Sequence, residues 1–470
     1  MIILPKISVV VVVEEENKYS ISVLLGYLLK RLREERLDNY YRFILTNWVN
    51  VSEVLSSLNR PHILIASLLT TQIPSLYSRV QSVLEVSRRL GGISAAGGPH
   101  ATGDPYGTIL NLGFDLAFIG EAEENFAEFV IELTQGGNPL SVSGVATISE
   151  GGVKVSYSNK RRVLSLDLVP PFCRELGLFN PIEIMRGCPH ACRYCQVSYL
   201  FGTFPRFRST ENVVSFAKEL LTRGIRDIRF VSPSGFEYMC SKNLNLSALS
   251  SLLETLNREV RSLGGRVYLG TFPSEVRPEH VTEETLRTVK AYVDNKKLNI
   301  GAQTGSERLL KLLHREHGAD DVLNAVAIAN KHGFKVDVDY MFGLPWEDSQ
   351  DLEITMKQIE RVIQLGGRIH CHTFIPLPGT PLSFASPRAI PETVKSKLVK
   401  LMGRGKLWGQ WLWQERLARD IVLLRENNVI VINYKRASEV ATKKSELVKR
   451  RFDVFYNNLR KIMSLNIETT

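Results

Sequence analysis

The sequence predicts an α/β protein in four parts: a doubly wound domain over residues 1–150, a linker over 151–179, a partial parallel barrel over 180–385, and a helical, basic extension over 386–470. Three observations predict it. Short apolar runs alternate with stretches of helical period in two separate series. A proline-rich segment, LVPPF, divides the two series. Beyond about residue 385 the pattern turns helical and basic. With 470 residues the chain can bury two or three separate cores.

The first series opens with KISVVVVV and continues through YYRFILTN, PHILIASLL, GGISAAGG and FDLAFIG, which read as strands. Segments such as SLYSRVQSVLEVSRRL read as the intervening helices, the alternation of a parallel sheet covered on both faces. The opening apolar run is broken by Pro5 and Lys6 and followed by three glutamates, with neither the length of a membrane span nor a signal peptide's flanks. The expected setting is therefore cytoplasmic. Two glycine-marked turns, AGGPHATG at 96–103 and IGEAEEN at 119–125, fall at strand ends. They suit close approach to a ligand and equally suit tight strand-to-helix turns. Neither is the G-x-G-x-x-G fingerprint, which argues against a nicotinamide cofactor.

SGVATISEGGVKVSYSN reads as a hairpin that closes this half with the linker. Six further runs then follow: PIEIMRG, RDIRFVSP, RVYLGTF, KLNIGAQT, FKVDVDYMFGL and RIHCHTFIPLPGTP, with helical stretches between them. Six such strands predict a partial parallel barrel with its functional groups on the carboxyl-terminal loops. Residues 435–461 carry nine Lys or Arg against three Asp or Glu, and Val440, Leu447, Phe455 and Leu459 recur at nearly helical spacing. The expectation is an amphipathic helix packed on the barrel with a solvated basic face. The competing reading is a surface for nucleic acid, an anionic membrane or a phosphorylated substrate.

Six cysteines in this length exclude a disulfide scaffold, and three of them stand together in GCPHACRYCQ as Cys188, Cys192 and Cys195. Three thiolates from one loop suit an iron–sulfur cluster with one iron left for an outside ligand. Zinc completed by His190 or Cys173 is the alternative, with an unusual spacing for a zinc site. Cys240 and Cys371 read as buried apolar residues.

From here the chain resembles the radical S-adenosylmethionine (SAM) enzymes, whose C-x3-C-x2-C loop holds a [4Fe-4S] cluster in a partial (β/α)6 barrel. The resemblance places Tyr194 as the aromatic residue before the last cysteine. VSPSGF stands where the family often has a Gly-Gly-Glu type motif, so Pro233, Ser234 and Gly235 inherit contacts to the methionine amino group, although the pattern departs from the usual one. IGAQTGSERLLKLLHREH is similar to the fourth-strand motif: Gln303 is assigned to the ribose, Ser306 to the cofactor's surroundings and Arg315 to its carboxylate. FGLPWED, with Gly343 and Glu347, resembles the fifth-strand motif, and FIPLPGTP the last-strand turn against adenine.

The leading half resembles the Rossmann-like cobalamin-binding domain that often precedes this barrel. On that resemblance Ser67, Gly97, Gly98, His100, Gly120 and Glu121 line the corrin, while the Asp-x-His-x-x-Gly motif that would supply a cobalt ligand is absent. The tRNA methylthiotransferases share the QTGSER-like strand but carry further cysteines in their leading domain, and this chain has none before Cys173. The resemblance implies reductive cleavage of SAM to a 5′-deoxyadenosyl radical, an external electron donor such as ferredoxin or flavodoxin, and methylation of an unactivated carbon on a small-molecule or lipid-like substrate. Radical cyclisation or rearrangement without methyl transfer is the runner-up. A non-enzymatic iron–sulfur protein for electron transfer or nucleic-acid binding is favoured by the basic tail and disfavoured by the fourth-strand motif. The sequence names no catalytic acid or base.

Overall fold

The computed structural model describes residues 7–58, 61–156, 163–241 and 243–465. The predicted opening residues 1–6 and linker residues 157–162 lie outside this set. Strands β1 (Ile7–Val12), β2 (Tyr41–Thr46), β3 (His62–Ser67), β4 (Ile93–Gly97) and β5 (Leu116–Phe118) form a parallel sheet in the order β2-β1-β3-β4-β5. Every residue of β1 and β3 is buried, as an unbroken Val and Ile run demands when helices cover both faces. Helices Lys18–Glu34, Ile73–Arg89 and Glu123–Gln135 connect the strands.

The predicted hairpin belongs to this sheet and not to a linker. Strands β6 (Val145–Ser149) and β7 (Gly152–Ser156) extend it antiparallel beyond β5, so the domain runs past residue 150.

The second half is an open parallel barrel in two arcs. One arc orders β12 (Arg266–Tyr268), β11 (Asp227–Val231) and β8 (Ile182–Glu183); a short antiparallel pair, β9 (Met185–Arg186) and β10 (Arg206–Phe207), lies beside it. The other arc orders β13 (Lys297–Gln303), β14 (Lys335–Phe342), β15 (Arg368–Thr373) and β16 (Leu407–Trp408). Among the described residues an isolated parallel bridge, Val276 to Ile300, links the arcs, and the Asn299 N–H donates to the Gly270 carbonyl (2.9 Å) beside it. All six predicted runs are strands, and β16 adds a pairing beyond the expected barrel boundary at residue 385. Two residues with no alternating pattern give sequence reasoning nothing to detect.

The basic tail differs from the expectation in two ways. It is two helices, Tyr434–Lys443 and Ser445–Met463, and they pack on the leading domain, not on the barrel. Val448, Phe455, Leu459 and Ile462 enter that domain's core, while Leu447 is exposed. Part of the basic charge also points inward. Arg451 donates to the carbonyls of Ile109 (2.8 Å) and Phe114 (3.0 Å), and Lys444 to Asn111 Oδ1 (2.7 Å). Among the described residues no helix is long and apolar enough to cross a membrane.

Candidate functional site

The cysteine loop follows β9 and ends in the short helix Val197–Phe201. Gly187 opens it with φ +84°, and a Cβ there would meet the Phe204 carbonyl at 2.9 Å, so only glycine fits. Backbone bonds fix the rest. The Cys188 N–H donates to the Gly202 carbonyl (3.1 Å), the Cys195 N–H to the Cys192 carbonyl (3.0 Å), and the Arg193 N–H to the Leu313 carbonyl (3.0 Å). The last of these ties the loop to the segment after β13. Burial pushes the Cys188 thiol up and the Cys195 thiol up to about 11.

The three sulfurs do not surround one point. Among the described residues, the group whose three ligand atoms all lie within 4.8 Å of one another is Asp339, His370 and His372, not the cysteines. Thiolates about 2.3 Å from one zinc could not be more than about 4.6 Å apart, so the spacing suits separate metal atoms of a cluster. Neither candidate fourth ligand is free. His190 is held between Glu237 (2.7 Å) and Glu316, and Cys173 is buried in the leading domain's core.

Beside the loop, the ends of β11 and β13 carry a group of buried polar side chains. Arg315 donates to the Gly301 carbonyl (2.6 Å) and reaches Cys192 Sγ at 3.6 Å. Burial alone would lower its pKa, but Tyr194 and Cys192 overcome that and raise it. Gln303 takes a left-handed backbone (φ +72°) at a bulge between β13 and β14. At the end of β11 Ser232 Oγ donates to the Ser234 carbonyl (2.7 Å) across Pro233, and a Cβ on Gly235 would meet the Ser274 carbonyl at 2.4 Å. Ser234 Oγ, Glu237 Oε2, Glu279 Oε2 and Arg315 Nε are buried without a hydrogen-bond partner. Buried polar atoms of both charge types left without a partner near the cysteine loop are compatible with a polar ligand.

Sequence reasoning missed Glu237, one residue beyond VSPSGF, and with it Arg277, Glu279 and His280; it read His190 only as a zinc ligand and gave no role to His317, the last residue of the fourth-strand motif. Two of its candidates have structural duties. Ser306 caps helix Glu307–Leu312 and donates to Asp351 Oδ1 (2.5 Å); Gly343 (φ +74°) donates to Glu347 (2.7 Å), and a Cβ there would meet the Arg388 carbonyl at 2.9 Å. Burial pushes the Glu347 carboxyl up to about 8. Tyr194 packs on the apolar cluster of Leu309, Leu313, Leu344 and Phe374.

Between the domains lies a cleft of about 1120 Å³, counting its open mouth. Its leading-domain wall is the carboxyl ends of β3, β4 and β5, including Ser67, Gly97, Gly98, Gly120 and Glu121; its barrel wall includes Arg186, Leu200, Phe201 and Val231. Arg186 and Leu200 bracket the cysteine loop, so cleft and loop are neighbours. Gln196 Nε2 donates to the carbonyls of Pro378 (2.8 Å) and Pro99 (3.4 Å), joining the loop to the last-strand turn FIPLPGTP and to the first glycine turn. A Cβ at Gly97 or Gly120 would meet nothing within 4 Å, whereas at Gly98 it would meet Ser67 Oγ at 2.5 Å. Gly97 and Gly120 therefore face open cleft, and Gly98 is required by packing.

His100 departs from its expected place. It is buried behind the turn, its Nδ1 3.0 Å from Thr70 Oγ1, and burial lowers its pKa to about 3. The helix begun by Gly98 aims it away from the cleft. Glu121 bridges the domains, accepting from Arg186 (2.9 Å) and Arg206 (2.5 Å). Burial alone would raise its pKa, but the two arginines hold it below the usual carboxylate value.

Residues 182–359 match the Radical SAM superfamily model. A tRNA-2-methylthio-N(6)-dimethylallyladenosine synthase of Moorella thermoacetica is 29% identical over 194 residues, 41% of this chain and 42% of the relative. An uncharacterised protein of Methanocaldococcus jannaschii is 25% identical over 255 residues, 53% of this chain and 52% of the relative. The chain thus spans about half the length of the curated relatives it matches. Among solved structures, the radical S-adenosylmethionine methyltransferase TsrM from Kitasatospora setae, with cobalamin and a [4Fe-4S] cluster bound, aligns with a TM-score of 0.63 at 15% identity, covering 81% of this chain and 74% of its own. The cobalamin-dependent S-adenosylmethionine radical enzyme OxsB aligns with a TM-score of 0.63 at 12% identity over 98% of this chain and 80% of its own. Residues 182–359 thus carry a match to the Radical SAM superfamily model, and the leading domain and barrel share the fold of these two cobalamin-dependent enzymes.

Proposed function

We propose that this protein is a cobalamin-dependent radical SAM methylase. The observation that carries the reading is the interdomain cleft, whose floor at Gly97 and Gly120 is open space and whose barrel wall runs directly into the cysteine loop. Cys188, Cys192 and Cys195 would hold a [4Fe-4S] cluster, the polar groups at Ser234, Gly235, Glu237, Gln303 and Arg315 would hold SAM, and the cleft would hold the corrin. When bound, these groups supply a 5′-deoxyadenosyl radical and a transferable methyl group.

The chain's own residues position and insulate. Arg315 lies beside Cys192 and places a positive charge next to the thiolates. The apolar cluster of Tyr194, Leu309, Leu313, Leu344 and Phe374 excludes water on one side of the loop. Glu121, Arg186 and Arg206 hold the two walls together. No histidine, cysteine or methionine lines the cleft among the described residues, so the chain offers cobalt no nitrogen or sulfur ligand there.

A methylase of this kind consumes SAM twice. Turnover should yield S-adenosylhomocysteine and 5′-deoxyadenosine in about equal amounts when the cycle is fully coupled. With a deuterated methyl group on SAM, label should appear in the product. 5′-Deoxyadenosine without the homocysteine product, in protein loaded with cobalamin, would leave the radical enzyme standing and remove the methylase.

A further inference from the structure

Asp339 on β14 and His370 and His372 on β15 are neighbours in the parallel register, Asp339 opposite His370. Val338, Tyr340 and Cys371 between them are buried in the core under the helices. Side chains alternate along a strand, so the partly buried Asp339, His370 and His372 face the inside of the barrel. His370 lies flat on Trp408, ring centroids 3.7 Å apart and planes 5° from parallel.

From this arrangement we infer a second metal centre, a divalent transition-ion site held by Asp339 Oδ1, His370 Nδ1 and His372 Nε2. The donor set, two imidazoles and one carboxylate, is one that binds zinc, iron, nickel and similar ions and leaves positions open. Oδ1 lies 2.9 Å from Nδ1, and Nε2 lies 3.1 Å from Nδ1. Ligands at right angles on an ion with bonds of about 2.1 Å are about 3.0 Å apart, so both pairs match. The third separation, 4.0 Å, corresponds to a wider angle at the ion.

Hydrogen bonding accounts for these contacts poorly. His370 Nδ1 faces both a carboxylate oxygen and a ring nitrogen. If it carries a proton it satisfies only one of them well, and if it does not, it opposes the Asp339 lone pairs. A cation among the three atoms uses every lone pair at once. Glu275 stands near Asp339 and His370, its carboxyl pushed up by burial and by Asp339, while Lys297 and Arg368 are engaged by Asp337. The stack on Trp408 fixes the His370 ring, and Gln414 stands 3.5 Å from His372 Nδ1 as an outer contact. Coordination through Nε2 puts the His372 proton on Nδ1. The Gln414 amide must then turn its oxygen from the Thr373 N–H, a cost the ion has to exceed. The open positions would face the lumen, where an anionic or chelating oxygen group of a substrate can reach them.

The test is metal content apart from the cluster. Anaerobically purified, cluster-loaded protein is equilibrated with Zn(II), freed of excess ion and analysed for zinc per chain, in parallel with a variant in which Cys188, Cys192 and Cys195 are alanine. Both should hold about one zinc. His370→Ala combined with His372→Ala should lower zinc affinity at least tenfold in both backgrounds, and Asp339→Asn alone should weaken it measurably, with iron and sulfide in the cysteine-intact protein unchanged. Folded protein with all three residues intact that takes up no zinc would overturn the site, as would zinc binding indifferent to the two histidines.

Discussion

The interdomain clamp supports a prediction whose size follows from counting charges. Arg186 is 6% exposed and meets three carboxylates, Glu123 at 2.6 Å, Glu183 at 2.7 Å and Glu121 at 2.9 Å, while Arg206 meets only Glu121 at 2.5 Å. Two arginines thus face three glutamates, an excess of one negative charge. Arg186→Met keeps the aliphatic stem but leaves one buried carboxylate, Glu123, and two partly buried ones, Glu121 and Glu183, with one arginine. Stranding buried charge in this way costs about 3–5 kcal/mol. Glu121→Gln removes a charge from the side in excess, and its amide oxygen can still accept from one arginine. Its cost should be about 1–2 kcal/mol, the worth of a charge-assisted bond. The two variants should also differ in pH dependence. In the wild type the Glu121 pKa is depressed below its ordinary 4.5, so its contribution is present above that value and is lost as pH falls through the lower folded value. In Arg186→Met, Glu121 loses one of the two arginines that hold its pKa down and takes up its proton at higher pH than in the wild type, so the gap between variant and wild type narrows on acidification. Denaturant unfolding of cluster-loaded protein between pH 8 and 5.5 measures both. Equal losses in the two variants, or a gap constant with pH, would refute the charge count.

Gly97→Val should fold normally, because φ there is extended and a Cβ meets nothing, yet lose corrin uptake on reconstitution with cobalamin; retained corrin absorbance would contradict the cleft assignment. Gly98→Ala should instead lower stability by about 1–3 kcal/mol through its positive φ and the Ser67 clash, seen in thermal unfolding. Replacing Cys188, Cys192 and Cys195 with alanine should remove cluster iron and sulfide and stop 5′-deoxyadenosine formation. In the tail, Lys443→Glu with Arg450→Glu should change stability by under about 0.5 kcal/mol, being solvated, whereas Arg451→Met should cost about 2–4 kcal/mol by leaving two buried carbonyls without a donor.

What the sequence disclosed and what it withheld divide along a physical line. Features with local periodicity or fixed spacing were legible: the Val-rich β1, the six barrel runs, and the cysteine triplet, each written within a dozen residues. Interactions set by long-range closure were not. Nothing local in SELVKRRFDVFYNNLRKIM says that Val448 and Phe455 face the leading domain or that Arg451 turns inward to the Ile109 carbonyl, 342 residues away in the chain. His100 looked like a cleft residue because its neighbours Gly97 and Gly98 are at the cleft, but one helical residue's direction differs from the next by a third of a turn. The polar cluster was half visible for a similar reason: Gln303, Arg315 and His317 belong to one motif, while Glu237 and Arg277 join them only when the two arcs close at Val276 and Ile300.

The same closure explains why the cleft and the cysteine loop act as one site. Gly103 admits the Pro378 carbonyl so closely that a Cβ there would lie 2.4 Å from it, and Gly379 in turn lies against Gly103. These two turns, one from each domain, are the ones that Gln196 binds from the cysteine loop through Pro99 and Pro378. A displacement of either domain must therefore break bonds to the loop itself. The loop's register, the width of the cleft and the clamp at Glu121 are consequently set together, and a ligand entering the cleft meets a barrel wall already fixed in place.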